Sequence, residues 1–228
     1  MIIVQHQDSV GCGHYAEWLG EHHLVRPYEG EAVPDRIEDA LVVLGGSMNA
    51  YADIEAPWLP QVRTLIRQCL DEDVPVLGIC LGAQLLSVAA GGGVQVADPA
   101  GMELGVTEIS LLPAAHDDDL LGGLPTQIAG VSAHSDGIRP LPPQATLLAE
   151  SARYPQAFRI GQRAWGLQFH PEVDAPTFRR WAEEDISGLP DASPAKLAQI
   201  LAEAEARWAE MQDVSRHIAL RFVDIVAA

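Results

Sequence analysis

Cys80 stands between Gly78 and Gly82 in "GICLGAQ", where an apolar run over residues 74–79 gives way to a helix-like stretch. Ligands of open α/β sheets bind beyond the carboxyl ends of strands, so a cysteine on such a turn is carried to where chemistry happens. The adjoining helix N-terminus favours thiolate, the reactive form of the side chain. Glycines on either side permit the tight turn and the close approach of helix to strand. Taken alone, a free cysteine is as readily a small buried hydrophobe. Cys69, on the apolar side of the preceding helix-like stretch, reads that way. Cys12 in "GCGHYAEW" has His14 two residues on, but no second Cys/His pair follows at metal-ligand spacing, and a loop position is the better reading.

A nucleophilic cysteine needs a base, and the base needs an orienting group. "AWGLQFHPEV" offers both at another strand end: residues 164–169 read as a strand, His170 follows, and Glu172 comes two residues later across Pro171. Proline excludes helix there and fixes the local path, so the side chains at 170 and 172 can point the same way. Of the eight histidines, His170 alone has a strand before it and a carboxylate in register after it. Attack on an amide carbonyl also calls for bare backbone donors to hold the oxyanion. Leu81 N–H, at the first helical position, is one candidate. Gly46 N–H, at the Gly45-Gly46 strand end in "VVLGGSMNAY", is the other.

The elements that would position these residues are legible in the hydrophobic pattern. Residues 2–4, 40–44 and 74–79 read as short strands buried on both faces, and residues 14–24 and 56–73 as the helices between them. The alternation predicts an α/β fold with a mostly parallel central sheet flanked by helices on both faces. From residue 94 onward the pattern changes to short strands at 105–112, 126–132, 145–150, 157–160 and 164–169, expected as antiparallel additions, followed by a helix near 176–186. "SGLPDASP", residues 187–194, reads as a linker. It separates a catalytic domain over 1–186 from an amphipathic helix or helical pair over 195–228, whose stripe of Leu197, Ile200, Ala204, Met211, Ile218 and Phe222 must be buried somewhere. Either the same domain or a symmetric partner could cover it.

With 14 Lys+Arg against 32 Asp+Glu, the formal charge is −18, which opposes nucleic acid and anionic membrane surfaces as partners. No apolar run approaches the roughly 18 residues that span a bilayer. "MIIVQHQD" lacks the basic and apolar regions of a secretory signal, and three cysteines form no even disulfide framework. A cytoplasmic protein is expected.

"GICLGAQ", "LQFHPEV" and "LGGSMNAY" together resemble the signature regions of class I glutamine amidotransferase domains, the type with a Cys-His-Glu triad, in matching order and spacing. The resemblance covers residues 1–186 and is nearest to stand-alone relatives of the amidotransferase domain of GMP synthase. It implies a flavodoxin-like sheet, Cys80 as nucleophile, His170 as base, Glu172 as orienting acid, and Gly46 and Leu81 as oxyanion donors. It further implies that Gln84 helps to hold the substrate's α-amino and α-carboxylate groups. Ala133, Ser135 and Asp136 in "VSAHSDGI" are similar to the family's loop that contacts the same groups. The implied reaction hydrolyses the γ-glutamyl amide of glutamine through a thioester and requires no metal or organic cofactor. The chain carries no nucleotide-binding G-x-x-x-x-G-K-[ST]. An ammonia-accepting synthetase subunit or a homo-oligomeric partner at the C-terminal helix is therefore an expected associate.

Competing expectations are a γ-glutamyl peptidase, a cysteine-elbow protein of the DJ-1/PfpI type, and a non-catalytic descendant that binds a γ-glutamyl ligand or a protein. The second would need neither Gln84 nor a His-Pro-Glu after a late strand, and the third would not need an intact triad.

Overall fold

Residues 1–228 are described by a computed structural model. Three-residue strands suffice where both faces are covered, and β1 (Ile2–Val4), β2 (His23–Val25) and β3 (Leu41–Val43) lie parallel at one end of the main sheet. β4 (Val76–Ile79) follows β3 in parallel. Side chains alternate between faces along each strand. Ile3, Val42, Leu77 and Ile79 enter one core cluster, while Val4, Leu41, Val43 and Val76 enter another. α2 (Leu59–Asp71) and α3 (Leu81–Ala89) cover the second face, α2 through Leu59, Val62, Leu65, Ile66 and Cys69.

The remaining strands are β5 (Val94–Gln95), β6 (Glu103–Leu111), β7 (Gln127–His134), β8 (Gly137–Ile138), β9 (Ala145–Glu150), β10 (Pro155–Ile160) and β11 (Ala164–Leu167). The main sheet has nine strands in the order β2-β1-β3-β4-β11-β10-β9-β6-β7, and β5 pairs with β8 in a separate ribbon. β2-β1-β3-β4-β11 is the flavodoxin-type parallel order; β10, β9, β6 and β7 extend it in antiparallel fashion.

Two sequence expectations change here, and a third, left open between one helix and a pair, is resolved. The strand at 164–169 is not simply an antiparallel addition: β11 meets β10 antiparallel through a tight turn at Gly161, and its other edge lies parallel to β4, with Gly166 opposite Gly78 and Leu167 opposite Ile79. The helix expected over 14–24 is one turn, α1 (Tyr15–Trp18), since Gly20 reverses the chain at a φ of 72° and residues 23–25 pair with β1 as β2. The tail is one continuous helix, α5 (Pro194–Ala227), capped by Ser193, which accepts from Lys196 N–H at 3.1 Å.

α4 (Ala175–Asp185) and α5 sit on the first face. Ile200, Ala204 and Met211 of α5 pack with Phe178 and Trp181 of α4 and Val131 of β7, and Val214, Ile218 and Phe222 join the cluster that contains Tyr15 and Trp165. Each fully buried large apolar side chain stabilises by about 1.5–3 kcal/mol. The stripe is thus buried against the chain's own sheet, and its burial does not require a second copy. No helix is long and apolar enough to cross a membrane.

Candidate functional site

The register of β4 against β11 brings two strand ends side by side, so that Cys80 and the segment 168–172 emerge at the same sheet edge. Cys80 N–H donates to Leu167 O at 2.7 Å, and its carbonyl accepts from Gln84 N–H at 3.0 Å as α3 begins. Between these bonds Cys80 takes a φ of 51° and a ψ of −107°, a conformation that a non-glycine residue holds only under constraint. The flanking glycines are required by contact. A Cβ on Gly82 would lie 2.0 Å from Val43 O, and one on Gly78 would lie 2.6 Å from Gly82 O. Strand and helix pack backbone to backbone, which drives the turn outward with the sulfur at its apex.

His170 is fixed by its N–H, which donates to Val131 O at 2.7 Å, and by the Trp181 ring, edge-on at 4.8 Å between centroids. Its Nδ1 lies 2.7 Å from Glu172 Oε1, with both side chains buried. Burial opposes a charge on the imidazole, but the Glu172 carboxylate and the Cys80 sulfur outweigh it and push His170 up to about 10. Near neutrality the ring is an imidazolium held between a carboxylate and the sulfur. Glu172 is anchored through its backbone, since Glu172 O accepts from His14 N–H at 2.8 Å. From α5, the Ser215 hydroxyl donates to Pro171 O, and Gln212 Nε2 lies 3.2 Å from His14 Nε2. The C-terminal helix therefore backs the His-Pro-Glu turn directly.

Cys80 and His170 open into a cavity of about 90 Å³ that Gly46, Ser47 and Ala133 also line. No backbone or side-chain acceptor in the chain takes the N–H of Gly46 or of Leu81. Leu81 packs on Gly46, where a Cβ would lie 2.8 Å from Leu81 Cδ2. The strand end before Gly46 is braced from behind by His6, whose Nδ1 accepts from Trp58 Nε1 at 3.0 Å. That bond places the imidazole proton on Nε2, which is buried with no partner. Burial lowers His6 to about 4, so it stays neutral.

A sharply turned cysteine, a charged imidazole backed by a carboxylate and two free N–H groups can together perform acyl transfer. The sequence matches the family model described as glutamine amidotransferase class-I over residues 15–183. The chain belongs to this family. Among relatives, a glutamine-hydrolyzing GMP synthase subunit of Thermoplasma acidophilum is 37% identical over 198 residues, covering 83% of this chain and 93% of that one. Gamma-glutamyl peptidase 5 of Arabidopsis thaliana is 34% identical over 157 residues, covering 66% of this chain and 61% of that one. The crystal structure of a glutamine amido transferase from Methylobacillus flagellatus superposes with a TM-score of 0.84 at 28% identity, covering 98% of this chain and 94% of that one. Several longer proteins named glutamine-hydrolyzing GMP synthase also match, and this chain spans only 19–23% of their length. Family members of this kind are usually enzymes, and their mixed α/β sheet is the one seen here.

Not every residue that the resemblance singles out faces the cavity. Ala133 lines it, whereas Ser135 is exposed and Asp136 is tied to the segment after β5, with Oδ1 accepting from Ala97 N–H at 2.8 Å. The Gln84 carboxamide is buried, with Nε2 at 3.4 Å from both Asp136 O and Gln168 Oε1. Sequence reasoning missed Gln168, Trp181, His6 and Ser215. Gln168 carried a usable signal, as a polar residue within an otherwise apolar strand end; Ser215 carried none.

Proposed function

We propose that the protein hydrolyses the γ-glutamyl amide of glutamine, with Cys80 as nucleophile, His170 as acid and base, Glu172 as its orienting partner, and Gly46 and Leu81 N–H as oxyanion donors. The observation that carries this reading is the strained Cys80 turn opening into the same cavity as His170, whose ring is paired behind it with the buried Glu172. The thiolate attacks the amide carbonyl, and the oxyanion is held by the two N–H groups. The imidazolium protonates the departing nitrogen as the C–N bond breaks, which releases ammonia and leaves a γ-glutamyl thioester. Water, losing its proton to His170, then attacks the thioester carbonyl, and the C–S electron pair returns to sulfur as glutamate leaves. In this reading Gln84, Ala133, Ser135 and Asp136 form the region that holds the glutamyl α-groups, the last two through backbone. Residues 1–186 form the catalytic unit, and the helical extension over 195–228, joined by 187–194, serves as its brace.

Likeness to the Thermoplasma GMP synthase subunit over nearly its whole length favours a role as the ammonia-supplying chain of a cytoplasmic two-chain synthetase. A γ-glutamyl peptidase is the second reading. It is favoured by the likeness to gamma-glutamyl peptidase 5; in this reading the part of the cavity lined by Ser9, Trp181, Glu184 and Asp185 takes the group beyond the scissile amide. Incubation with glutamine and with γ-glutamyl dipeptides, measuring ammonia and free glutamate against a Cys80→Ala control, separates the two. Absence of turnover of either substrate by the folded protein would remove the free-standing enzyme.

A further inference from the structure

Resting on the reading of Cys80 as nucleophile, we infer that Gln168 is a further catalytic residue: its carboxamide N–H donates to the Cys80 sulfur, and Gln84 is the positioning residue that holds the amide in the donating orientation. Gln168 Nε2 lies 3.6 Å from Cys80 Sγ, in a pocket where Gln168 is 1% exposed and Gln84 is 3% exposed. The backbone fixes this meeting. Gln168 N–H donates to Gln156 O at 2.9 Å, and the preceding carbonyl, Leu167 O, receives Cys80 N–H.

Which end of the amide faces the sulfur follows from the partners. Asp136 O is a carbonyl and can only accept, so the Gln84 atom 3.4 Å from it is the nitrogen. That nitrogen is also 3.4 Å from the Gln168 carboxamide, so the Gln168 atom facing it must be the oxygen. The Gln168 nitrogen is left for the sulfur. A donor here binds thiolate more strongly than thiol, because hydrogen bonds to an ionised acceptor are the stronger ones. It acts in both halves of the cycle, holding the thiolate before attack and receiving it when water breaks the C–S bond of the thioester.

The test is the rate at which iodoacetamide alkylates Cys80 in the full chain, followed by peptide mass spectrometry from pH 6 to 10. Burial pushes the Cys12 and Cys69 thiols up to about 11 and about 12, and Cys80→Ala supplies the background. Gln168→Met keeps the volume but removes the donor, and should slow alkylation about tenfold at pH 6.5 while converging with wild type at pH 10. Gln84→Met should give a smaller loss of the same sign. Gln168→Glu, which still accepts from Gln84 but places negative charge by the sulfur, should slow alkylation more than Gln168→Met, and serves if the latter fails to fold. A folded Gln168→Met or Gln168→Glu with the wild-type pH profile overturns the inference. The readout uses no γ-glutamyl substrate. A protein that alkylates as expected yet turns over neither glutamine nor a γ-glutamyl peptide would sink the proposed reaction and leave the Gln168 contact standing.

Discussion

Replacing Gly45 by alanine tests whether the gap between nucleophile and base is set by a missing methyl group. A Cβ at this position would lie 2.9 Å from His170 Cε1, 3.2 Å from Val10 Cγ1 and 3.6 Å from Cys80 Cβ. Carbon atoms pack comfortably at about 3.5 Å or more. The contact with Cys80 is therefore ordinary, and the strain falls on the imidazole, which must retreat by roughly 0.6 Å from the sulfur it serves. The φ of Gly45 lies outside the left-handed region, so alanine is tested for space alone. A misplacement of about 1 Å at a reacting centre costs about a hundredfold in rate, so a shift of this size should lower kcat about tenfold with KM little changed. Crowding of Val10 and His170 should destabilise by about 1–3 kcal/mol. Steady-state kinetics with glutamine, together with urea unfolding, would measure both effects. A folded Gly45→Ala protein with wild-type kcat would refute the view that this glycine sets the approach of His170 to Cys80.

Two further perturbations probe the supports. The unfolded chain takes up a proton at His6 below about pH 6.5, which the folded protein refuses until about 4, so the stability due to neutral His6 is present above 6.5 and lost as pH falls towards 4. The difference is worth about 3 kcal/mol, and urea unfolding of wild type and His6→Gln at pH 7 and pH 4.5 should show the variant with the flatter dependence. Ser215→Ala removes the hydroxyl that donates to Pro171 O; it should reduce stability by about 1 kcal/mol and lower kcat at constant KM, whereas an unaltered kcat would confine α5 to packing.

The parts of the site built from local patterns were legible in the sequence. Cys80 announced itself through glycines two residues away on each side, and Glu172 through its spacing from His170 across a proline. The strands at 2–4 and 145–150 were legible for the same reason, as apolar runs bounded by polar residues. What escaped was non-local. Gln168 meets Cys80 across 88 positions and Ser215 meets Pro171 across 44, so no short window holds either pair. The parallel seam between β4 and β11 belongs to the same class, because hydrophobic alternation fixes which face a residue takes but not which strand lies alongside. The lost helix over 14–24 failed for another reason. Its apolar residues fit a helical period, yet Gly20 and the demand of β1 for an edge partner prevailed over a pattern that short.

The bond from Ser215 to Pro171 has a consequence in time as well as in space. Synthesis delivers Cys80, His170 and Glu172 to solvent well before α5 has left the ribosome, and domains fold as units once their contacts are available. Until residue 215 emerges, the turn that joins imidazole to carboxylate lacks its outer support, and the apolar face that α5 covers lies open. A nascent chain that has collapsed through residue 186 thus holds Cys80 and His170 in an unfinished setting. The order of the chain thus makes the docking of α5 on the His-Pro-Glu turn later than the emergence of the turn itself.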